Sequence, residues 1–564
     1  MKRSKRILAL ILGIIMCTAM LTACGGTGGN EPAASSAQPS ASQPGASASA
    51  APPSASSGGG SSPAQPSTAP SFEPAPTGED VKFAEHIEML TNFNFSVHNL
   101  HSPAGTGEPQ NMANRMVFDA LVELEETDGK LSFTPKLAKR WETEDWKTIR
   151  LYLRDDVYFH NGDKFTAQDV VNTVRMASEA PGSASFDNWR YVAEAIAEED
   201  YVVRLELNAP NVNIFLHLYM PMCGIVNARA IEADPEKGYY IGTGPYTVSD
   251  FSTNDYITFL RNDDYWDEMP ITKTQTWRYV PEISSRTIRL QNGEADISMS
   301  LPEGDFPMFR ADPNFTTIPV IRNNSTGILL NMNDPITGDK NFRLAVAYAV
   351  DREEITMIAL GDMGIVPTDG SAWGRTTAFR NTSIPLIPHD PDKAKEYLAA
   401  SVYNGEELEI TTAGIEHVRA SEVLQEQLAR IGVKSRVNVM DQTSFIAHTN
   451  GQDSKGQIMF WENVLGPNPG SFRNIYAPGA AMNRAMYNNP EFTAMLDQAP
   501  TILDEAERSA VYMQAQETIA EDLPFIPVFF RIIEFAAKAG LGGMKISLTH
   551  TFYDCRMMFL VIDG

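Results

Sequence analysis

Residues 408–439 read LEITTAGIEHVRASEVLQEQLARIGVKSRVNV, and this segment changes periodicity twice. Leu408 to Thr412 is short, apolar and rich in β-branched side chains, as a strand requires. Leu424, Leu428 and Ile431 then share one face of a helix, and Gly432 supplies a stop. Beyond it, Val433, Ser435, Val437 and Val439 alternate with Lys434, Arg436 and Asn438, the two-residue period of a strand. Strand, helix and strand joined this closely predict a βαβ unit with parallel pairing. Elsewhere, Thr166-Ala-Gln-Asp169 precedes Val170, Val171 and Val174, and Asp351-Arg-Glu-Glu354 precedes Ile355 and Ile358. Each is a polar cap followed three residues later by an acid, which starts a helix. Between Leu131 and Phe159, short apolar runs between polar turns read as strands. The expectation is an α/β fold whose strands are spread along the whole chain.

About 480 residues, from Val81 to Gly564, have ordinary globular composition, which exceeds what one core organises and predicts two or three lobes. No second low-complexity linker divides them, so lobes that exchange strands are expected. The first 80 residues have a different chemistry. Lys2, Arg3, Lys5 and Arg6 precede an apolar run from Ile7 to Leu21 that is too short for a comfortable membrane span, and Gly25 and Gly26 break any helix. With Leu21-Thr-Ala-Cys24 at its end, this start resembles a bacterial lipoprotein signal. The resemblance implies removal of residues 1–23, lipidation of Cys24 and a membrane tether outside the cytoplasm. From residue 25 to 77 only ten side chains are not Gly, Ser, Ala or Pro. Residues 24–80 are therefore expected to be a disordered linker, spanning roughly 40 Å as a random coil.

The chain has 45 Lys and Arg against 71 Asp and Glu, a formal net charge of -26. That balance disfavours nucleic acid and anionic membrane surfaces. Of 4 cysteines, Cys17 leaves with the signal and Cys24 takes the lipid, so Cys223 and Cys555 allow one disulfide but no framework of them. There is no Gly-x-Ser-x-Gly elbow, His-Glu-x-x-His or Cys-x-x-Cys, and neither a catalytic residue nor a cofactor is indicated. His98 and His101 have the spacing of two metal ligands on a helix, but no third ligand is indicated and surface histidines are the default.

A series of phrases runs through the globular region: Val117-Phe-Asp-Ala-Leu-Val-Glu-Leu124, Pro135-Lys-Leu-Ala-Lys-Arg-Trp141, Leu153-Arg-Asp-Asp-Val-Tyr-Phe-His-Asn-Gly162, Gly242-Thr-Gly-Pro-Tyr246, Arg261-Asn-Asp-Asp-Tyr-Trp266, Gly293-Glu-Ala-Asp-Ile297, Phe342-Arg-Leu-Ala-Val-Ala-Tyr-Ala-Val-Asp-Arg352 and Asp390-Pro-Asp-Lys-Ala394. In content and order they resemble the family 5 extracellular solute-binding proteins of ABC transporters, the dipeptide and oligopeptide binding group. The resemblance implies a two-lobed periplasmic-binding-protein-like fold of class II with an enlarged N-terminal lobe. Lobe I would be residues 81–319, with 531–564 returning to it, and lobe II residues 320–530. Crossing strands are expected near Thr317 to Leu330 and Phe525 to Phe535. Solute would be enclosed in the cleft by hinge closure and delivered to an ABC permease with its ATPase subunits; no chemical step is required. A monomer tethered to the extracytoplasmic face of the cell membrane is expected, on a Gram-positive surface rather than in a Gram-negative periplasm. The turn at Gly242, Gly244 and Pro245 lacks a phosphate-loop pattern. Arg343 and Arg352 are expected in ion pairs, and Asp264, Tyr265 and Trp266 in strand-end packing.

In peptide-binding members a Trp-x-x-Asp phrase supplies the aspartate that pairs with the solute's α-ammonium. The matching phrase here is Trp461-Glu-Asn-Val464, so Val464 stands in the aspartate's place. Glu462 is a substitute anchor, though in an extended strand it points away from Trp461's face and along with Val464. Trp461 is expected to line the cleft as an aromatic platform. Phe472, Trp373, Tyr487 and Arg473 are further ligand-binding candidates, Arg473 for its bidentate chemistry toward a carboxylate. Trp189 fits cleft and core equally well. Peptide is the solute the family implies; a sugar, an opine, a nickel or other metal chelate, and a sensory role on the same fold are the alternatives.

Overall fold

The computed structural model describes residues 75–76, 81–93, 99–102, 108–127, 130–450, 454–463, 466, 468–480, 482–546 and 553–562. Cys24, the signal-like start, most of the linker, His98 and Val464 lie outside these residues. The βαβ unit is present: strand Glu407–Thr412, helix Ile415–Ile431 and strand Lys434–Val439, with Leu408 opposite Ser435 and Ile410 opposite Val437 in parallel pairing. Gly432 ends the helix at φ +98°, a left-handed position that side chains resist, and its N–H reaches the Ala429 and Leu428 carbonyls. Leu424 and Leu428 are fully buried. Lys434 and Arg436 are exposed because their strand is a sheet edge.

Among the described residues this unit is one end of an eleven-stranded mixed sheet. From that edge the order is Lys434–Val439, Glu407–Thr412, Ile458–Asn463, Phe315–Leu330, Phe525–Lys538, Ile297–Ser298, His86–Thr91, Thr274–Tyr279, Tyr256–Arg261 and Tyr246–Ser252, with Gly364–Ile365 paired beside Phe525–Lys538. Phe315–Leu330 and Phe525–Lys538 are the long central pair, antiparallel from Phe315 opposite Lys538 to Leu329 opposite Phe525. They contain the stretches expected to cross between lobes.

Two hydrophobic cores lie at opposite ends of this pair. Val320, Phe535 and Ala537 join a core built from residues between Ile87 and Met299 and from Leu541, Tyr553, Met558 and Leu560. Ile328, Leu330, Ile526 and Val528 join a second, with the helices Lys340–Ala349, Arg352–Leu360 and Ile415–Ile431. Leu329, Met459, Trp461 and Phe525 point to the other sheet face, where aromatic residues of the helices Phe472–Tyr476, Pro490–Gln498 and Glu505–Asp522 cover them. Between the cores, register slips from Ile321 to Ser325. Such an irregularity loosens the ladder and lets the strands bend. Just beyond it the strands press together: a Cβ on Gly327 would stand 2.1 Å from the Ile526 carbonyl oxygen.

The first core also carries an antiparallel sheet ordered Ala138–Glu142, Thr148–Leu153, Val202–Leu207, Val192–Glu199. The Thr166 and Asp169 capping box opens helix Ala167–Ser178, and the Asp351 side chain accepts from the Glu354 N–H to open helix Arg352–Leu360. Buried Asp119 accepts from the Tyr265 hydroxyl and the Trp266 indole, both at 3.0 Å, so the strand-end expectation for these rings holds.

Arg343 and Arg352 depart from the sequence reading. Instead of carboxylates they meet backbone carbonyls: Arg343 donates to Asp522 and Gly338, Arg352 to Pro527 and Ile387. Both are buried, and fixed carbonyls satisfy a planar fork without a second charge to desolvate. Burial pushes the Arg352 guanidinium down to about 10. Cys223 and Cys555 are both buried free thiols, pushed up by burial, so the allowed disulfide is not formed.

Candidate functional site

Sheet alternation sorts the side chains next to the register slip onto two faces. Thr326 lies opposite Glu462, while Ser325 lies opposite Asn463 and Phe530, and Gly327 opposite Trp461. Thr326 and Glu462 therefore share one face, and Ser325, Asn463, Phe530 and Trp461 share the other.

On the first face Glu462 accepts from Asn324 Nδ2 at 3.2 Å. Burial opposes its charge, but Arg322, His417 and Arg531 outweigh burial and hold the carboxyl below the usual carboxylate range. Arg531 also donates to Glu416 at 2.7 Å, and Arg419 lies 3.8 Å from Glu303. Burial, with the Glu416 charge beside it, pushes the Glu303 carboxyl up. Glu303, Arg322, Arg531, Phe93, Phe306 and Tyr553 border a cavity of about 190 Å³ between the first core and the crossing strands.

On the second face Trp461 is 8% exposed, stacked on Phe445 at 4.5 Å between centroids, with His417 at 5.3 Å. Arg484 holds its guanidinium 5.4 Å from the Trp461 ring, and Arg375 lies 5.9 Å from the Phe530 ring. Both are cation–π distances. Arg375 arrives on a loop fastened to the slip itself, because Asn323 Oδ1 accepts from the Thr376 N–H at 2.8 Å. A Cβ on Gly374 would stand 2.3 Å from the Asn323 carbonyl, so glycine permits this close approach.

Of the residues expected at the site, the structure brings Trp461 and Glu462 together on adjacent positions and opposite faces. Phe472, Trp373 and Tyr487 pack into the aromatic layer. Trp373 is fully buried and stacks on Phe472 at 4.4 Å, and Tyr487 donates to Asp522 at 2.6 Å. Trp189 is buried in the first core. The Arg473 guanidinium is engaged by Asp497 at the surface. Val464 lies outside the described residues. His101 is bonded to the Tyr239 hydroxyl at 2.9 Å, and burial pushes its imidazole down to about 4. Arg375 and Arg484 carry no mark in the sequence, since each is a single arginine with no periodicity around it.

The two cores also meet away from the crossing strands. Asn213 Nδ2 donates to the Tyr512 hydroxyl at 3.0 Å, the Val212 N–H to the Pro500 carbonyl at 2.9 Å, and Asn468 Nδ2 to His217 Nε2 at 3.0 Å. Two α/β lobes that share a pair of crossing strands with an irregular register, and touch again away from them, have the layout in which a hinge closes over a cleft.

The profile of the bacterial extracellular solute-binding proteins, family 5 (middle), matches residues 132–483, and the chain belongs to that family. The glutathione-binding protein GsiB of Escherichia coli K12 is 26% identical over 428 residues, covering 72% of this chain and 81% of GsiB. Among solved structures, the ABC transporter substrate-binding protein CtaP of Listeria monocytogenes superposes with a TM-score of 0.75 at 22% identity, covering 85% of this chain and 100% of CtaP. The periplasmic binding protein DppA of Helicobacter pylori, in complex with the peptide STSA, gives 0.71 at 21% identity, covering 85% of this chain and 98% of DppA. The protein is a solute-binding component of an ABC importer, and its relatives are binding proteins. No helix among the described residues is long and apolar enough to cross a membrane.

Proposed function

We propose that this chain is the surface-tethered receptor of an ABC importer for a small, amino-acid-derived solute of peptide type, held on the Trp461 face of the crossing strands. The observation that carries this reading is the convergence of Trp461, Arg484, Arg375 and the buried Ser325 hydroxyl beside the register slip where the two cores hinge. Glu462, compensated by Arg322 and Arg531 on the opposite face, keeps the strand ends charged and ordered; it meets a solute ammonium only by giving up part of that network. GsiB is named for a tripeptide thiol and DppA was solved with a peptide, which supports an amino-acid-derived solute over a sugar.

The lobes are proposed as residues 81–319 with 531–564, and 320–530. The lipid on Cys24 and the linker of residues 24–80 would hold a monomer at the extracytoplasmic face, within reach of the permease and its ATPase subunits. Binding energy, differing between open and closed forms, would drive closure without chemistry.

The test is mass spectrometry of small molecules released by denaturing protein purified without refolding. Short peptides or amino-acid conjugates are the expected finding. A sugar, or a metal chelate without an amino-acid component, would contradict the proposal.

A further inference from the structure

The cleft side of the second core holds more guanidinium groups than carboxylates paired directly with them. Arg531 is paired with Glu416, Arg380 bidentately with Asp369, and Arg419 with Glu303, while the field of Arg322 falls on Glu462. Arg484 and Arg375 stand outside this pairing: among the described residues neither has a carboxylate at ion-pair distance, and Arg484 feels only the longer-range field of Glu462, a charge that also acts on Arg322, His417 and Arg531. Arg484 is 5% exposed, and its Nε is buried with no acceptor. The Nη1 of Arg375 is likewise buried and unmet. Ser325, 0% exposed, has a hydroxyl without a partner. These groups lie on one sheet face within two positions of register, since Ser325 pairs with Phe530 under Arg375 and Gly327 pairs with Trp461 under Arg484.

A buried guanidinium with no direct ion-pair partner is destabilising, and buried donors are normally met. Aromatic faces relieve such a charge only in part. We infer that Arg375, Arg484 and Ser325 form an anion subsite, and that the solute enclosed here carries a carboxylate or phosphate held between the two guanidiniums. The inference rests on the proposed placement of solute on the Trp461 face and deepens it: the preferred solute is anionic. Burial pushes the Arg484 guanidinium down to about 10, which leaves it a cation at neutral pH.

The test follows thermal unfolding of the full-length protein at fixed ionic strength, with glutarate, inorganic phosphate or uncharged glutaramide as probes. The subsite predicts protection by at least one anion and none by glutaramide. R375Q and R484Q should each weaken the apparent affinity for that anion about tenfold or more, with R484K intermediate because a point charge replaces a planar fork. Protection by glutarate alone identifies a carboxylate site; protection by phosphate alone identifies a phosphate site. R484Q without ligand should melt above wild type, since it removes a buried charge that has no direct ion-pair partner. No anion protection of the wild type, or protection that survives in the R375Q/R484Q double variant, overturns the inference. Peptides that bind with unchanged affinity in the double variant would leave the receptor reading standing and sink the subsite. Anion protection without any peptide binding would do the reverse.

Discussion

Trp461 supplies apolar contact area and Arg484 supplies charge at the same point of the sheet, and neither role is separable from packing. Truncating Trp461 to Ala should weaken solute binding about tenfold or more, and should also cost about 3 kcal/mol of stability because the ring lies against Phe445 in the aromatic layer. Calorimetric titration beside a melting curve separates the two effects. Phe445→Ala, which opens the same layer from behind, should lose stability with a smaller loss of affinity. Equal affinity losses in both variants would make Trp461 a packing residue. At this scale the sequence was partly legible. The Trp461 phrase marked the strand end, and alternation put Glu462 on the opposite face, as found. Trp373, Phe472 and Tyr487 were not legible as a stack, because they come from separate loops and short helices whose burial follows no period.

At the scale of elements, the capped helices and the βαβ unit could be read from local pattern because caps, stops and alternation act over a few residues. The slip at Ile321 to Ser325 could not, since a bulge is a relation between two strands and only one of them is visible in any window. The contact between the segment carrying His217 and the turn carrying Asn468 was equally hidden. His217 Nδ1 faces Asn188 Oδ1 at 3.2 Å and Nε2 accepts from Asn468, whose own Oδ1 is used by the Gly470 N–H. The Nδ1–H donates to Asn188 in either protonation state, but the bond that Nε2 accepts requires a neutral ring, and burial with the nearby Arg190 charge pushes the imidazole down to about 3. An unfolded histidine titrates near 6.5, so between about 6.5 and 3 the unfolded chain binds the proton that the folded chain refuses. The contribution is therefore intact above about 6.5 and is lost as pH falls toward 3. Wild type should lose more melting temperature between pH 7 and 4.5 than His217→Gln, which keeps an acceptor but does not titrate; parallel curves would remove His217 from the account.

At the scale of the whole molecule, the family phrases carried most of the fold into view. Two lobes, crossing strands and a returning C-terminal segment were expected; near the C-terminus, Phe559–Ile562 pairs with Lys82–Phe83, and Tyr553 and Leu560 join the first core. The charge balance of the cleft was not legible. The net charge of -26 belongs to the whole chain, while the excess of guanidinium at the hinge is set by which loops the fold brings together. The central claim is that solute is held between lobes that close on it. Small-angle X-ray scattering tests this directly, on protein freed of bound solute and then saturated with the molecule identified by mass spectrometry. The account predicts a smaller radius of gyration on saturation. An unchanged scattering profile, with binding confirmed by calorimetry in the same sample, would contradict it.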